Sequence, residues 1–291
     1  MTHTKHLTCI ACQSDHIESL SARYPQDLVR CADCGLHYFE SIPSDVELTE
    51  HYSHYPVIHQ VPEITITRYQ QILSKFEPFK KTGKILDIGC GEGFFLQEAL
   101  SNGWEAHGTE FADMYIPLCE SKGIRMQQGQ LDVRKYPEGS FDVITWFEVI
   151  EHINYPMVEL ANIHKLLRPG GMVYVTTPNF NSLSRYLLKG NWSMIEYPGH
   201  LAYYSPKSLT KLFNDNGFTL EALTTTGISP GRLRDSIQGS QGSKEDFHAV
   251  DKRWQAKMEN NIGMVLLKST INTLLNLTKK GDAMKAYFIK K

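Results

Sequence analysis

Six cysteines, three alternate glycines and an acid–acid–histidine string are the residues whose types and spacing permit chemistry in this chain. Cys9 and Cys12 form one C-x-x-C knuckle, and Cys31 and Cys34 form a second, 18 residues further on. Each knuckle can bring two thiolates to one ion, and two knuckles supply the four-sulfur tetrahedron that Zn²⁺ prefers. Four sulfurs leave no open coordination position, so a zinc held this way is structural. A redox dithiol lacks its βαβ setting here and has no need of two copies. The second candidate is Asp87-x-Gly89-x-Gly91-x-Gly93. Glycines in such a turn let backbone amides approach a ligand where a Cβ would block them, and positive φ costs them little. The third is Glu148-x-x-Glu151-His152. Histidine titrates close enough to neutrality to take a hydroxyl proton as a general base. The same three side chains could instead bind a divalent cation, or His152 could be a histidine merely hydrogen-bonded at a helix start.

Positioning these groups requires particular elements. Residues 84–88 have strand character and residues 94–100 have helical apolar spacing, so the glycines sit in a strand–turn–helix unit. The helix directs its positive N-terminal end at whatever occupies the turn, the arrangement of a nucleotide or nucleoside site. The glycine spacing is one residue shorter than the dinucleotide fingerprint and is preceded by an acid. A second strand over 104–110 ends in Glu110, 21 residues after Gly89, where a carboxylate can accept both hydroxyls of a ribose. An apolar strand over 140–146 runs into Glu148, which places Glu148 to His152 at the carboxyl ends of the strands, where open α/β sheets bind ligands. Helices are expected over 45–55 with Ser44 as cap, and over 64–79, 112–122, 156–167 and 205–216. Further strands fall at 124–127, 172–175, 218–225 and 284–289. Residues 56–62 and 231–242 read as loops, the latter polar and flexible, and residues 244–277 as helical.

The Asp87 to Gly93 turn, Glu110, the Phe141-Asp142 strand entry, the E-x-x-E-H string and the Arg168-Pro169-Gly170-Gly171 turn together resemble the class I S-adenosylmethionine-dependent methyltransferases. Among these, the E-x-x-E-H string is similar to that of ubiquinone-biosynthesis O-methyltransferases. The stretch from Thr177 to Leu209 looks like bacterial methyltransferases of polysaccharide and secondary-metabolite pathways, and sugar C-methyltransferases combine a four-cysteine zinc module with this catalytic fold. The resemblance implies an α/β fold: a Rossmann-like seven-stranded sheet, a small N-terminal zinc ribbon, and a helical insertion before the last strand. It implies S-adenosylmethionine as cofactor, with contacts from Asp87, Gly89, Cys90, Gly91, Gly93, Phe94, Glu110, Phe111, Gln130, Leu131 and Phe147. Gln130 stands where the family usually has the acid of a Gly-Asp pair; its carbonyl can still accept from the adenine amine, with the Leu131 amide on a ring nitrogen. Asp132 is the alternative adenine contact. The implied reaction is methyl transfer to a hydroxyl of a sugar, nucleotide sugar or glycan precursor, with His152 as base. Sugar C-methylation and phenol O-methylation are alternatives. Polar rings and amides give the acceptor candidates Tyr52, Tyr55, Asn179, Trp192, Tyr197, His200 and Tyr204.

Composition bounds the rest. The 291 residues are 41% hydrophobic, enough for a full α/β core plus an appendage. The expected division is a ribbon over 1–42, a linker with lead-in helices over 43–80, and the methyltransferase domain over 81–291. Within the domain, 180–206 would cover the active site and 244–280 form the helical insertion. A net charge of −2 creates no field for nucleic acid, and acids outnumber Lys5, Arg23 and Arg30 in the first fifty residues. No nucleic-acid partner is expected. The N-terminus has no apolar core of a signal peptide and no apolar run spans a bilayer, so a cytoplasmic monomer or homodimer is expected. The lysine-flanked C-terminal helix is expected to pack on the domain or a second subunit rather than on a membrane.

Overall fold

A computed structural model of the chain describes residues 4–20, 24–53, 61–228 and 262–291. Tyr55, the loop expected over 231–242 and residues 244–261 of the expected insertion lie outside the described residues, as does the side chain of Tyr52. The chain forms two compact units, and neither is one continuous segment.

The first unit comprises residues 1–42, 177–209 and 223–285. Its sheet is an antiparallel meander of β1 (Ile17–Ser19), β2 (Leu28–Cys31) and β3 (His37–Phe39), closed by a two-residue strand, β9 (Ala202–Tyr203), which pairs with β3. Leu28, Phe39, Phe180, Trp192 and Tyr203 form an apolar cluster beneath it. The ribbon over 1–42 therefore does not stand alone as a metal-held module: its fourth strand and much of its core come from residues 180–203. Among the described residues this unit carries the helices α6 (Leu183–Leu188) and α8 (Ile262–Thr278), the latter being the described part of the expected insertion.

The second unit comprises residues 43–176, 210–222 and 286–291. It opens with α1 (Asp45–Ser53), where Ser44 and Glu47 exchange side-chain bonds with each other's backbone N–H in a capping box. Helix α2 (Glu63–Phe76) leads into β4 (Lys84–Ile88). Then follow α3 (Phe94–Ser101), β5 (Glu105–Glu110), α4 (Ile116–Ser121), β6 (Arg125–Gln128), β7 (Phe141–Phe147), α5 (Pro156–Leu166) and β8 (Leu167–Pro178). Helix α7 (Pro206–Asp215), β10 (Phe218–Thr226) and β11 (Ala283–Lys290) complete the set. The strands make one seven-stranded sheet in the order β10-β11-β8-β7-β4-β5-β6, with parallel pairing from β8 through β6. Every residue of β7 from Phe141 to Trp146 is buried, as expected of a parallel strand covered on both faces. The chain leaves β4 in one direction toward β5 and β6 and later returns on its other side with β7 and β8. The carboxyl end of β4 is thus the point where the winding reverses, which is where open α/β sheets bind ligands.

Two local expectations are corrected. The helix over 112–122 is a 3-10 turn (Asp113–Tyr115) followed by α4, because Pro117 lacks a donor N–H and belongs in a first helical turn. The Arg168-Pro-Gly-Gly turn is a bulge inside β8: Phe141 pairs with Leu167 but Val143 with Met172, and Gly170 takes up φ +69°.

Candidate functional site

The glycine turn connects β4 to α3. Gly89, Gly91 and Gly93 all have positive φ, at 71°, 53° and 72°. A Cβ on Gly89 would lie 2.7 Å from Val149 Cγ2, and one on Gly93 2.7 Å from Ile124 Cδ1. A Cβ on Gly91 would meet nothing within 4 Å, so that glycine borders open space. Beside it, Glu110 at the end of β5 accepts from the Gly91 N–H at 2.8 Å through Oε2, and from Phe111 and Ala112 N–H at 2.7 and 2.9 Å through Oε1. These bonds fix the carboxylate at the turn and leave acceptor capacity for a hydroxyl. Phe111, 56% exposed, follows it directly. Lys122 sits 4.3 Å over the Phe94 ring and donates to the Glu92 carbonyl at 2.7 Å, pinning the start of α3. Asp87 is buried under the turn and accepts from Thr145 Oγ1 at 2.6 Å. Burial, with help from the nearby Glu110 charge, pushes its pKa up to about 7 against the opposing Thr145 bond.

At the base-binding end, Leu131 is buried, Gln130 is exposed, and the Gln130 carbonyl accepts from the Gln127 side-chain amide. Asp132, the alternative contact, is paired with Arg134. Arg134 takes both its oxygens, at 2.8 and 3.0 Å, and this bond holds its carboxyl down at about 2. Phe147 is half-buried and turned into the core, with ring centroids 4.8 Å from Phe95 and 5.2 Å from Tyr174. An open glycine cradle, a fixed carboxylate and an exposed aromatic ring are groups that fit a nucleoside cofactor.

The acid–histidine string continues from β7. Glu148 is exposed and has φ +51°, a left-handed conformation that costs a non-glycine residue on the order of 1–2 kcal/mol. The conformation is held by its N–H, which donates to the Thr176 carbonyl at 3.0 Å. Glu151 is 2% exposed and His152 half-buried on the 3-10 turn that follows, Ile150–His152. Among the described residues no convergent metal-binding group contains Glu148, so the alternative three-ligand cation set of Glu148, Glu151 and His152 is not formed. The reason is geometric: the left-handed turn separates an exposed Glu148 from a buried Glu151.

The cysteine knuckles repeat one geometry. Gln13 N–H donates to the Cys9 carbonyl at 2.9 Å and Gly35 N–H to the Cys31 carbonyl at 3.0 Å, with Gln13 and Gly35 both left-handed. Cys9 Sγ lies 3.5 Å from Cys34 Sγ, and Cys12 Sγ 3.5 Å from Cys31 Sγ. All four sulfurs fall within 4.8 Å of one another. A zinc–sulfur distance of about 2.3 Å implies a tetrahedral edge of about 3.8 Å, so the set could hold a zinc ion with small adjustment. Backbone N–H groups of Ala11, Ser14 and Leu36 point at Cys9, Cys12 and Cys34, but the Cys34 thiol at Cys9 and burial at Cys12 outweigh them and push those two pKa values up, so their thiolates depend on a metal.

Several acceptor candidates are committed to structure. Asn179 is fully buried; its amide donates to the Lys279 and Gly281 carbonyls at 3.1 and 2.7 Å, and its oxygen accepts from Asn181 N–H. Trp192 is part of the first unit's core, Tyr204 is fully buried, and Tyr197 packs edge-on against Phe39 at 5.2 Å. His200 is half-buried and donates from Nδ1 to the Met194 carbonyl at 2.7 Å. Sequence reasoning missed Thr145 and Thr176, which hold Asp87 and Glu148. It also missed Cys119, whose Sγ donates to the Gly91 carbonyl at 3.3 Å. Hydroxyls at strand ends and a lone helical cysteine carry no periodic signal.

Sheet order, parallel register and a glycine turn at the reversal point together define the fold of the class I S-adenosylmethionine-dependent methyltransferases. Residues 58–223 match the family described as "Methyltransferase domain", and the chain belongs to that family. Among curated proteins it is similar to a ubiquinone biosynthesis O-methyltransferase of Nitrosococcus oceani, 34% identical over 103 residues, covering 33% of this chain and 44% of that protein. The protein of the same name from Roseobacter denitrificans is 31% identical over 184 residues, covering 56% and 74%. The chain spans about half the length of the first curated relatives it matches. Among solved structures, a SAM-dependent methyltransferase from Archaeoglobus fulgidus superimposes with a TM-score of 0.53 at 16% identity, over 85% of this chain and all of the other.

Proposed function

We propose that the protein transfers a methyl group from S-adenosylmethionine to a hydroxyl oxygen of a small molecule. The observation that carries this reading is the 2.8 Å bond between Gly91 N–H and Glu110 at the carboxyl end of β4, which joins a glycine cradle to a ribose-type acceptor. The cofactor, when bound, supplies an electrophilic methyl on its sulfonium. Gly89 to Gly93 would hold its amino-acid end, Glu110 its ribose hydroxyls and Gln130 with Leu131 its adenine. The protein would contribute chiefly by holding acceptor and methyl in line. His152 would take the acceptor proton, a role worth about 10²–10⁴-fold in rate.

Oxygen as the methylated atom is supported by the names of the curated relatives. Those names also favour a phenolic acceptor over the sugar or glycan precursor, which rests on the likeness of residues 177–209 to polysaccharide-pathway enzymes. The four cysteines are proposed to hold one structural zinc. Tritiated-methyl transfer to a panel of phenols and nucleotide sugars tests the acceptor class, and calorimetry with S-adenosylhomocysteine tests the cofactor. His152→Ala should leave the S-adenosylhomocysteine affinity unchanged and lower kcat at least about a hundredfold. Full turnover in that variant would remove the base assignment.

A further inference from the structure

The chain has a second pair of thiols outside the four-cysteine cluster. Cys90 lies in the glycine turn and is half-buried; Cys119 lies in α4 and is fully buried. Each thiol is close enough to shift the other's titration, Cys90 upward and Cys119 downward. Both also reach the same acceptor, the Gly91 carbonyl, at 3.7 Å from Cys90 and 3.3 Å from Cys119. Two glycines on neighbouring elements make the space. A Cβ on Gly108 would stand 2.7 Å from Cys90 Sγ, and one on Gly93 would stand 2.9 Å from Cys119 Sγ. Side chains at those positions would displace the sulfurs from where they lie.

We propose that Cys90 and Cys119 form an oxidation site, a dithiol that a peroxide closes into a disulfide tying the glycine turn to α4. The two sulfurs differ in the way such a reaction uses. The Cys90 hydrogen bond, with the Lys122 charge as a smaller contribution, lowers the Cys119 pKa, so the buried partner holds negative charge more readily. Cys90, half-buried where Cys119 is fully buried, meets the oxidant. Its sulfur attacks one peroxide oxygen, the O–O bond breaks, and Cys90 becomes a sulfenic acid as the other oxygen takes the Cys90 thiol proton and leaves as water. Cys119 sulfur then attacks Cys90 Sγ and expels hydroxide, which takes the remaining thiol proton. In sum two thiols and one hydrogen peroxide give one disulfide and two waters.

A disulfide brings its sulfurs to about 2 Å, closer than hydrogen-bonded thiols, so closure must pull the turn toward α4. Both sulfurs touch the Gly91 carbonyl, and the Gly91 N–H holds Glu110. The consequence for ligand affinity rests on the proposed cofactor reading: oxidation should weaken binding at the turn, and bound ligand should by linkage resist oxidation.

The test treats the full-length, zinc-supplemented chain with hydrogen peroxide, alkylates remaining thiols, and maps cross-linked peptides by mass spectrometry. The expected product is a Cys90–Cys119 cross-link that dithiothreitol removes and that Cys119→Ser abolishes. Oxidised protein should bind S-adenosylhomocysteine about tenfold more weakly, with recovery on reduction. Oxidation of Cys90 to the sulfinic acid without a cross-link, or a cross-link to Cys9, Cys12, Cys31 or Cys34 instead, overturns the site. A cross-linked protein that binds as tightly as the reduced one overturns the coupling. Failure of the reduced chain to bind S-adenosylhomocysteine would instead count against the cofactor reading, while the peptide map still decides the dithiol.

Discussion

The cysteine knuckles and the turns around the glycine loop present the same local problem, tight backbone whose N–H groups need partners, and meet it with opposite chemistry. In the knuckles, N–H groups of Ala11, Ser14 and Leu36 face sulfur. In the second unit they face carboxylates: Gly91, Phe111 and Ala112 face Glu110, while Lys81, Thr82 and Gly83 face Asp142. Four thiolates within 4.8 Å repel one another and need a cation from outside. A single carboxylate per turn is neutralised from within the chain. The first region should therefore depend on a supplied ion, and the second only on its own side chains.

Removing the ion should produce the larger effect. Cys31→Ser, or chelation of the wild-type protein, is expected to lower bound zinc from one per chain to none, read by elemental mass spectrometry. Structural zinc is worth about 10 kcal/mol or more of apparent binding energy in small modules. The ribbon here also has β9 and the Phe180–Trp192–Tyr203 cluster to support it, so partial loss of structure is expected rather than complete unfolding. A fall in Tm of about 10 °C or more would fit a loss of several kcal/mol. An unchanged Tm with no zinc bound would erase the distinction between the regions.

Next in size is Asp142→Ala. Asp142 is fully buried at the start of β7; its Oδ2 accepts three backbone N–H bonds at 2.7–2.8 Å, and its Oδ1 accepts from Arg168 Nε at 2.6 Å. Burial alone would raise its pKa, but Arg168 and the N–H groups outweigh burial and hold it below the usual carboxylate range. The variant strands a nearly buried guanidinium and three donors, which should cost about 3–5 kcal/mol in urea unfolding. Added zinc should not restore it, whereas zinc is the whole remedy in the knuckles.

The contrast also explains what the sequence could disclose. Knuckle spacing, the glycine triplet and Glu110 were legible because each is a short-range pattern tied to one turn or one strand end. The seven strands around them followed from apolar runs and turn residues. The pairing of β3 with β9 was not legible, since a two-residue strand has no period and its partner lies over 160 residues away by number, His37 against Tyr203. The same holds for Asn179, which reads as a polar loop residue but satisfies carbonyls of the 279–281 turn, and for Glu148, whose left-handed φ has no glycine to announce it. Ring-rich sequence over 192–204 suggested acceptor contacts, yet Trp192 and Tyr204 are buried; aromatic side chains bury too much area to be read as ligands from composition alone.

The smallest effect expected is on pH dependence, and it probes whether the second unit is neutralised from within even where no N–H reaches an acid. Asp87 is the exception among Asp87, Glu110 and Asp142: it accepts from the Thr145 hydroxyl, and Glu110 adds a like charge nearby. Its folded pKa is raised to about 7 from 3.8, first by burial and then by Glu110. The folded chain thus holds a proton that the unfolded chain has released between roughly pH 4 and 7. Because the native state binds more protons in that window, stability should fall as pH rises through it and level off above, the reverse of a salt-bridged aspartate. The slope from this one group cannot exceed about 1.4 kcal/mol per pH unit. Asp87→Asn keeps the side chain's size and removes the proton, so urea midpoints measured from pH 5 to 7.5 should decline less steeply in the variant than in the wild type. Parallel profiles would mean that Asp87 is already ionised in the folded protein, with its charge balanced by a group other than Thr145. The turn beneath the glycines would then share the knuckles' need for a compensating charge.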